Sequence, residues 1–254
     1  MVVASLSLGA LVGILLSAGF VYYEVGRYAT PQVPVTLFDE RREVFAYTAG
    51  LFVGVPLAVV GLLFLDAMDN GAIPGAALFL ALLVLGTEVA QWGLLRTRYW
   101  GRDESGPFYA LGYRASIGGI IALALVAQYL GGPGGISGEG VALVLLQSVA
   151  VLVLEVAGAL LSVRGTPASG RTGGGPLAGG VFSVVGFFLL GLGGLAGVEG
   201  AFGGAAVALL GSALVYQRLR PTLATIAAPG SGPPPLATVA PSPFRRTDAG
   251  APKK

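Results

Sequence analysis

The sequence contains neither cysteine nor histidine. The first absence removes thiol catalysis, disulfides and thiolate metal sites. The second removes imidazole acid/base work and imidazole ligation. Charge is scarce as well, with 15 Lys+Arg and 13 Asp+Glu in 254 residues. A soluble domain ordinarily devotes about a quarter of its residues to charge. Against these deficits stand an apolar content of 54%, a mean hydropathy of +0.80 and 42 glycines. The glycines lie inside Leu/Val/Ala runs without a triplet period, which excludes collagen-like and disordered readings. The composition is that of a polytopic membrane protein.

A membrane-spanning helix needs about 20 mostly apolar residues. Seven windows meet that requirement, at residues 2–23, 44–66, 73–95, 108–130, 140–163, 176–197 and 200–217. The expected fold class is all-α, an integral membrane bundle of seven transmembrane helices formed by residues 1–221. The last two windows are separated only by Val198 and Glu199, so they are expected to form a short hairpin. Cationic residues favour cytoplasmic loops. Arg27, Arg41 and Arg42 follow span 1, Arg96, Arg98 and Arg102 follow span 3, and Arg164 and Arg171 follow span 5. Arg218, Arg220, Arg245, Arg246, Lys253 and Lys254 follow span 7. The N-terminus and the intervening loops carry no cation. This distribution places the N-terminus outside and the C-terminus in the cytoplasm, as expected for a multi-pass protein of the cell membrane. No basic segment precedes span 1, so a cleaved secretory signal is not expected. Residues 222–254 are rich in Pro, Gly and Ala and end in four cations, which reads as a disordered basic cytoplasmic tail. Its cations could touch anionic lipid.

Helices in lipid associate by close approach, and small residues mark the contact. Ser5, Gly9, Gly13 and Ser17 recur every four residues in span 1, while Gly50 and Gly54, Gly193 and Gly197, and Gly200 and Gly204 mark spans 2, 6 and 7. Pro56 is expected to kink span 2. The partners implied are the lipid bilayer and either another membrane protein or a second copy of this chain. Nothing points to nucleic acid.

Ionisable residues within a span are the sharpest functional pointers, because each costs about 2.5 to 3.5 kcal/mol at a helix centre. Glu88, Arg114 and Glu155 qualify. Counted from the cytoplasmic ends, they lie at depths of roughly 10, 9 and 12 Å. Gln91 lies a turn from Glu88 on the same face, and Ser183 and Ser212 reach a similar level, so a polar layer in the cytoplasmic half is expected. Side-chain direction leaves its form open, because helical side chains lean toward their own N-terminus. Arg114 either joins the two acids in a compact cluster or snorkels to the headgroups. In the second case the acids remain in apolar surroundings, which favour the neutral carboxyl. Tyr113, with Trp92, Tyr99, Trp100, Phe108 and Tyr109, reads as a cytoplasmic aromatic belt. Asp39 to Glu43 read as the first turn of span 2, with acids at its positive end.

No catalytic set, cofactor site or metal site is expected. A retinal Schiff base would require a lysine in the last span, and residues 200–217 contain none. Gly135, Ile136, Ser137 and Gly138 imitate a nucleophile motif without a histidine to activate it. Two functions from different classes remain. One is small-solute, ion or proton transport through the layer of Glu88, Arg114, Glu155, Gln91 and Ser183. The other is a non-catalytic accessory or scaffold subunit of a larger membrane complex.

Overall fold

The computed structural model describes residues 2–28, 40–69, 73–96, 106–132, 136–163, 174–221 and 223. The described residues form seven helices, α1 (Val2–Tyr28), α2 (Glu40–Asp69), α3 (Ile73–Arg96), α4 (Gly106–Gly131), α5 (Gly138–Val163), α6 (Gly174–Leu195) and α7 (Gly197–Leu219). Six of the seven expected windows each lie within one helix, while the window 176–197 runs past the end of α6 to the first residue of α7. Six are long and apolar enough to cross a membrane, and the protein is therefore a multi-pass membrane protein. The remaining helix, α3, has a shorter apolar stretch at Leu80–Leu95 among the described residues. Leu223, at the start of the expected tail, is fully buried in the core beside Leu219; the rest of the tail and most of the cationic loops lie outside the described residues.

A helix satisfies every backbone group of an apolar segment within the segment itself, as lipid requires, and these segments accordingly run unbroken between their polar flanks. α2 continues through Pro56, which sits on its exposed side. α6 and α7 are joined at Ala196 and Gly197, with Gly197 at φ +80°, a left-handed conformation that glycine adopts without strain. Gly197 thus opens α7 after the turn at Ala196 and is not part of a packing stripe of α6, and Val198 and Glu199 also lie inside α7.

α4 is the central helix. It packs against α1, α2 and α5; α5 in turn packs against α6 and α7, and α3 bridges α2 and α6. Every residue of α4 from Phe108 to Gly119 is buried. The small-residue stripe of α1 is the surface that meets it. A Cβ on Gly9 would come within 2.6 Å of the Leu123 carbonyl oxygen, and one on Gly13 would collide with that of Gly119. Gly50 and Gly54 of α2 lie equally close to Tyr113, Ser116, Ile117 and Ile120 on another side of α4. Gly193, Gly200 and Gly204 bring α6 and α7 into backbone contact. Large apolar side chains instead point outward, including Phe52, Val89 and Leu214, as expected for surfaces in contact with lipid.

The aromatic belt is partly overturned. Phe108, Tyr109 and Tyr113 are buried, because a helix covered on all sides has no headgroup-facing surface at that level. Trp92 is exposed, while Tyr99 and Trp100 lie outside the described residues.

Candidate functional site

Glu88, Arg114 and Glu155 each stand eight residues from the cation-rich end of their helices, at Arg96, Gly106 and Val163. At a rise of about 1.5 Å per residue this is roughly 12 Å along each helix. Equal depth on three adjacent helices brings them together. Arg114 does not snorkel. It is fully buried, and its Nη2 donates to Glu88 Oε1 and, at 2.9 Å, to Ser183 Oγ of α6. Its Nη1 donates to Thr87 Oγ1 at 2.8 Å. Its Nε lies 3.0 Å from Glu155 Oε2, an ion contact whose angle falls outside hydrogen-bond alignment.

The two carboxylates differ in their surroundings. Glu88 uses both oxygens, since Ser162 Oγ donates to its Oε2 at 2.5 Å while Arg114 occupies Oε1. Glu155 has one oxygen against the guanidinium and the other, Oε1, without a hydrogen-bond partner. Two acids around one guanidinium leave one negative charge uncompensated when both are ionised, and Glu155 is the acid with unused capacity. Space for the guanidinium comes from Gly158, where a Cβ would stand 2.6 Å from Ser183 Oγ and 3.2 Å from Arg114 Nη2.

Of the five residues expected in this layer, the fold joins Glu88, Arg114, Glu155 and Ser183. Gln91 is buried but its Oε1 has no hydrogen-bond partner. Ser212 is buried on α7 without a hydrogen bond to the cluster. Thr87 and Ser162 were not singled out in the sequence. Hydroxyls are common in apolar helices, and only their adjacency to Glu88 and to the end of α5 hinted at a role.

Two further acids are buried that the span windows excluded. Glu24 (2% exposed) pairs with Arg220 at 3.0 Å, tying the ends of α1 and α7 beside the edge-to-face rings of Phe20 and Tyr216. Glu43 (6% exposed) has no hydrogen-bond partner on either oxygen. Both helices run past the apolar windows, so residues that look like flanks lie inside the bundle.

One to two turns from the cluster, toward the cation-poor end, a cavity of about 60 Å³ lies among α2 to α6. Ile121, Val151, Phe187 and Leu190 are among its walls, and Gln147 is the single polar residue lining it. Its mostly apolar walls offer water few hydrogen-bond partners. No group of three or more potential metal ligands is found among the described residues. No protein-family model, curated protein or solved structure matches the chain.

Proposed function

We propose that this protein transfers protons, with Glu155 as the exchanging carboxyl of the Glu88–Arg114–Glu155 cluster. The observation that carries this reading is the asymmetry between the acids: Glu88 is saturated, whereas Glu155 Oε1 is buried and unpartnered. A carboxyl next to a fixed cation can alternate between an ionised form, held by Arg114, and a protonated form, stable in apolar surroundings. Glu88, Thr87 and Ser183 hold the guanidinium in place during that exchange. In vesicles loaded with a pH-sensitive dye, Glu155→Gln is expected to slow proton flux about tenfold or more, the response to a barrier raised by about 1.4 kcal/mol. Unchanged flux in both Glu155→Gln and Glu88→Gln would remove the carboxylates from the mechanism.

We also propose that all seven helices cross the membrane, with the N-terminus outside and the basic tail in the cytoplasm. The cation distribution supports this orientation. The cysteine-free chain allows a direct test by single-cysteine labelling. In intact cells an impermeant maleimide is expected to label Ser137→Cys, and to label Ser242→Cys only after permeabilisation; the reverse pattern would invert the topology.

The closure of the cluster favours a second reading, as an accessory subunit of a membrane complex. Arg114 has no exposed surface, and such a network can serve packing alone. A partner recovered in fixed ratio after mild extraction would move the activity to that partner.

A further inference from the structure

Among the described residues, Glu43 is the one buried acid without a cation. The other three are paired, Glu24 with Arg220, and Glu88 and Glu155 with Arg114. Neither Glu43 oxygen has a hydrogen-bond partner. Its position on α2 is the reason. Glu43, Gly50 and Gly54 share one helical face, together with the buried Ala46 and Leu57, and that face meets α4. A Cβ on Gly54 would stand 3.0 Å from that of Ile120, and one on Gly50 would collide with the Tyr113 carbonyl oxygen. At the start of the same seam the close approach is made from the other side. A Cβ on Gly112 would collide with Glu43 Oε1 and stand 2.8 Å from its Cδ, so the carboxyl occupies a notch that this glycine leaves open. The α2–α4 seam is therefore a tight contact of small residues with an acid at its cation-rich end. An ionised carboxylate without a partner is costly there, and the neutral acid is the form that fits.

The charged and titratable groups on the surrounding helices are engaged elsewhere or leave Glu43 unbonded. α2 itself carries Arg41, Arg42 and Tyr47, the last hydrogen-bonded to Ser17 of α1 at 2.7 Å. α1 carries Glu24, whose Oε1 is taken by Arg220, and the exposed Tyr22 and Tyr23. α4 carries Tyr109, Tyr113 and Arg114, the last held by the acid cluster. α3 carries Glu88, engaged by Arg114 and Ser162, and ends at Arg96; α6 has no ionisable residue. None of these groups bonds to the Glu43 oxygens, and burial alone governs that carboxyl.

We propose that Glu43 binds a proton in the Gly112 notch and that this proton latches the first turn of α2 onto α4. The latch does not require proton transfer at Glu155. With the proton bound, the uncharged carboxyl stays in the seam. On release the carboxyl O–H bond breaks and the proton passes to water at the cation-rich end. The carboxylate then withdraws toward solvent and takes with it the segment before Tyr47, where the bond to Ser17 and the backbone contacts of Gly50 and Gly54 hold the rest of α2 in place. Because the neutral form is the docked one, the latch holds at low pH and opens as pH rises, the reverse of a carboxylate held by a cation.

Pulsed electron–electron resonance on the full-length protein in vesicles tests the latch. The cysteine-free chain accepts nitroxides at Val44→Cys on α2 and Leu214→Cys on α7, both exposed positions. Titration from about pH 5 to about pH 9 covers ordinary and deeply buried carboxyls. With Glu43 present, the expected result is one distance in acid and a second, several ångströms longer, that grows as pH rises. Glu43→Gln, a neutral isostere, is expected to keep the acid distance at every pH. A distance that does not change with pH when Glu43 is present would overturn the latch. So would a pH-dependent change that survives in Glu43→Gln, since it would belong to another group. Should Glu43→Gln fail to fold, Gly112→Ala keeps the acid and fills its notch; the longer distance is then expected at every pH, and the acid distance alone would overturn docking at Gly112.

Discussion

Arg114→Met is expected to destabilise the bundle by about 3 to 5 kcal/mol, the usual consequence of removing one member of a buried ion network. The substitution leaves Glu88 and Glu155 without their shared cation and strips Thr87 and Ser183 of a donor. Methionine replaces much of the volume, so the effect is electrostatic more than a matter of packing. Protonation of the stranded acids recovers part of the loss, and the midpoint of denaturant-induced unfolding in detergent should shift less at acidic pH. Replacing all three residues together, as Arg114→Met, Glu88→Leu and Glu155→Leu, should restore stability to near the native value, because an apolar substitute avoids both desolvation and mismatch. A single substitution that unfolds no more easily than the native protein would show that the cluster holds nothing together. A stable triple variant with native proton flux would reduce the cluster to packing.

Gly13→Leu is the second large effect, expected to cost about 1 to 3 kcal/mol or more by overpacking. The obstacle is backbone. A Cβ at this position meets the Gly119 carbonyl oxygen and stands 2.9 Å from the Leu123 nitrogen, and neither can rotate away as a side chain would. α1 must therefore shift off α4, which also disturbs the Ser17–Tyr47 hydrogen bond that links α1 to α2. Gly19, on the same helix but with open space around its Cβ position, provides the control. Gly19→Leu should be neutral or slightly stabilising, since leaving glycine in a helix gains about 1 kcal/mol of propensity. Comparable unfolding midpoints for the two variants would contradict the assigned α1–α4 contact.

The legibility of this protein in its sequence varied with the type of interaction. The helices were legible because an apolar segment in lipid has one way to satisfy its backbone, and composition alone marks where that is required. Their ends were less so. Glu24 and Glu43 lie beyond the apolar windows yet inside the bundle, because the helices continue past the apolar stretch and burial at the ends depends on neighbouring helices. The Ser5, Gly9, Gly13, Ser17 stripe announced a close contact without naming its partner. That partner is α4 of the same chain, a choice made by the order in which helices surround the centre.

The shared depth of Glu88, Arg114 and Glu155 followed from counting residues along helices of known rise. Whether Arg114 turned inward or toward the headgroups did not, because both directions lie within reach of a long side chain. Position along the membrane normal is one-dimensional, and the linear sequence determines it. The angular arrangement of the helices decided the rest: α3, α5 and α6 stand around one side of α4, so that Thr87, Ser162 and Ser183 complete the cluster and the guanidinium has better partners inside than at the surface. The same arrangement left Glu155 Oε1 and both Glu43 oxygens unpartnered, an imbalance that exists only once the helices are packed.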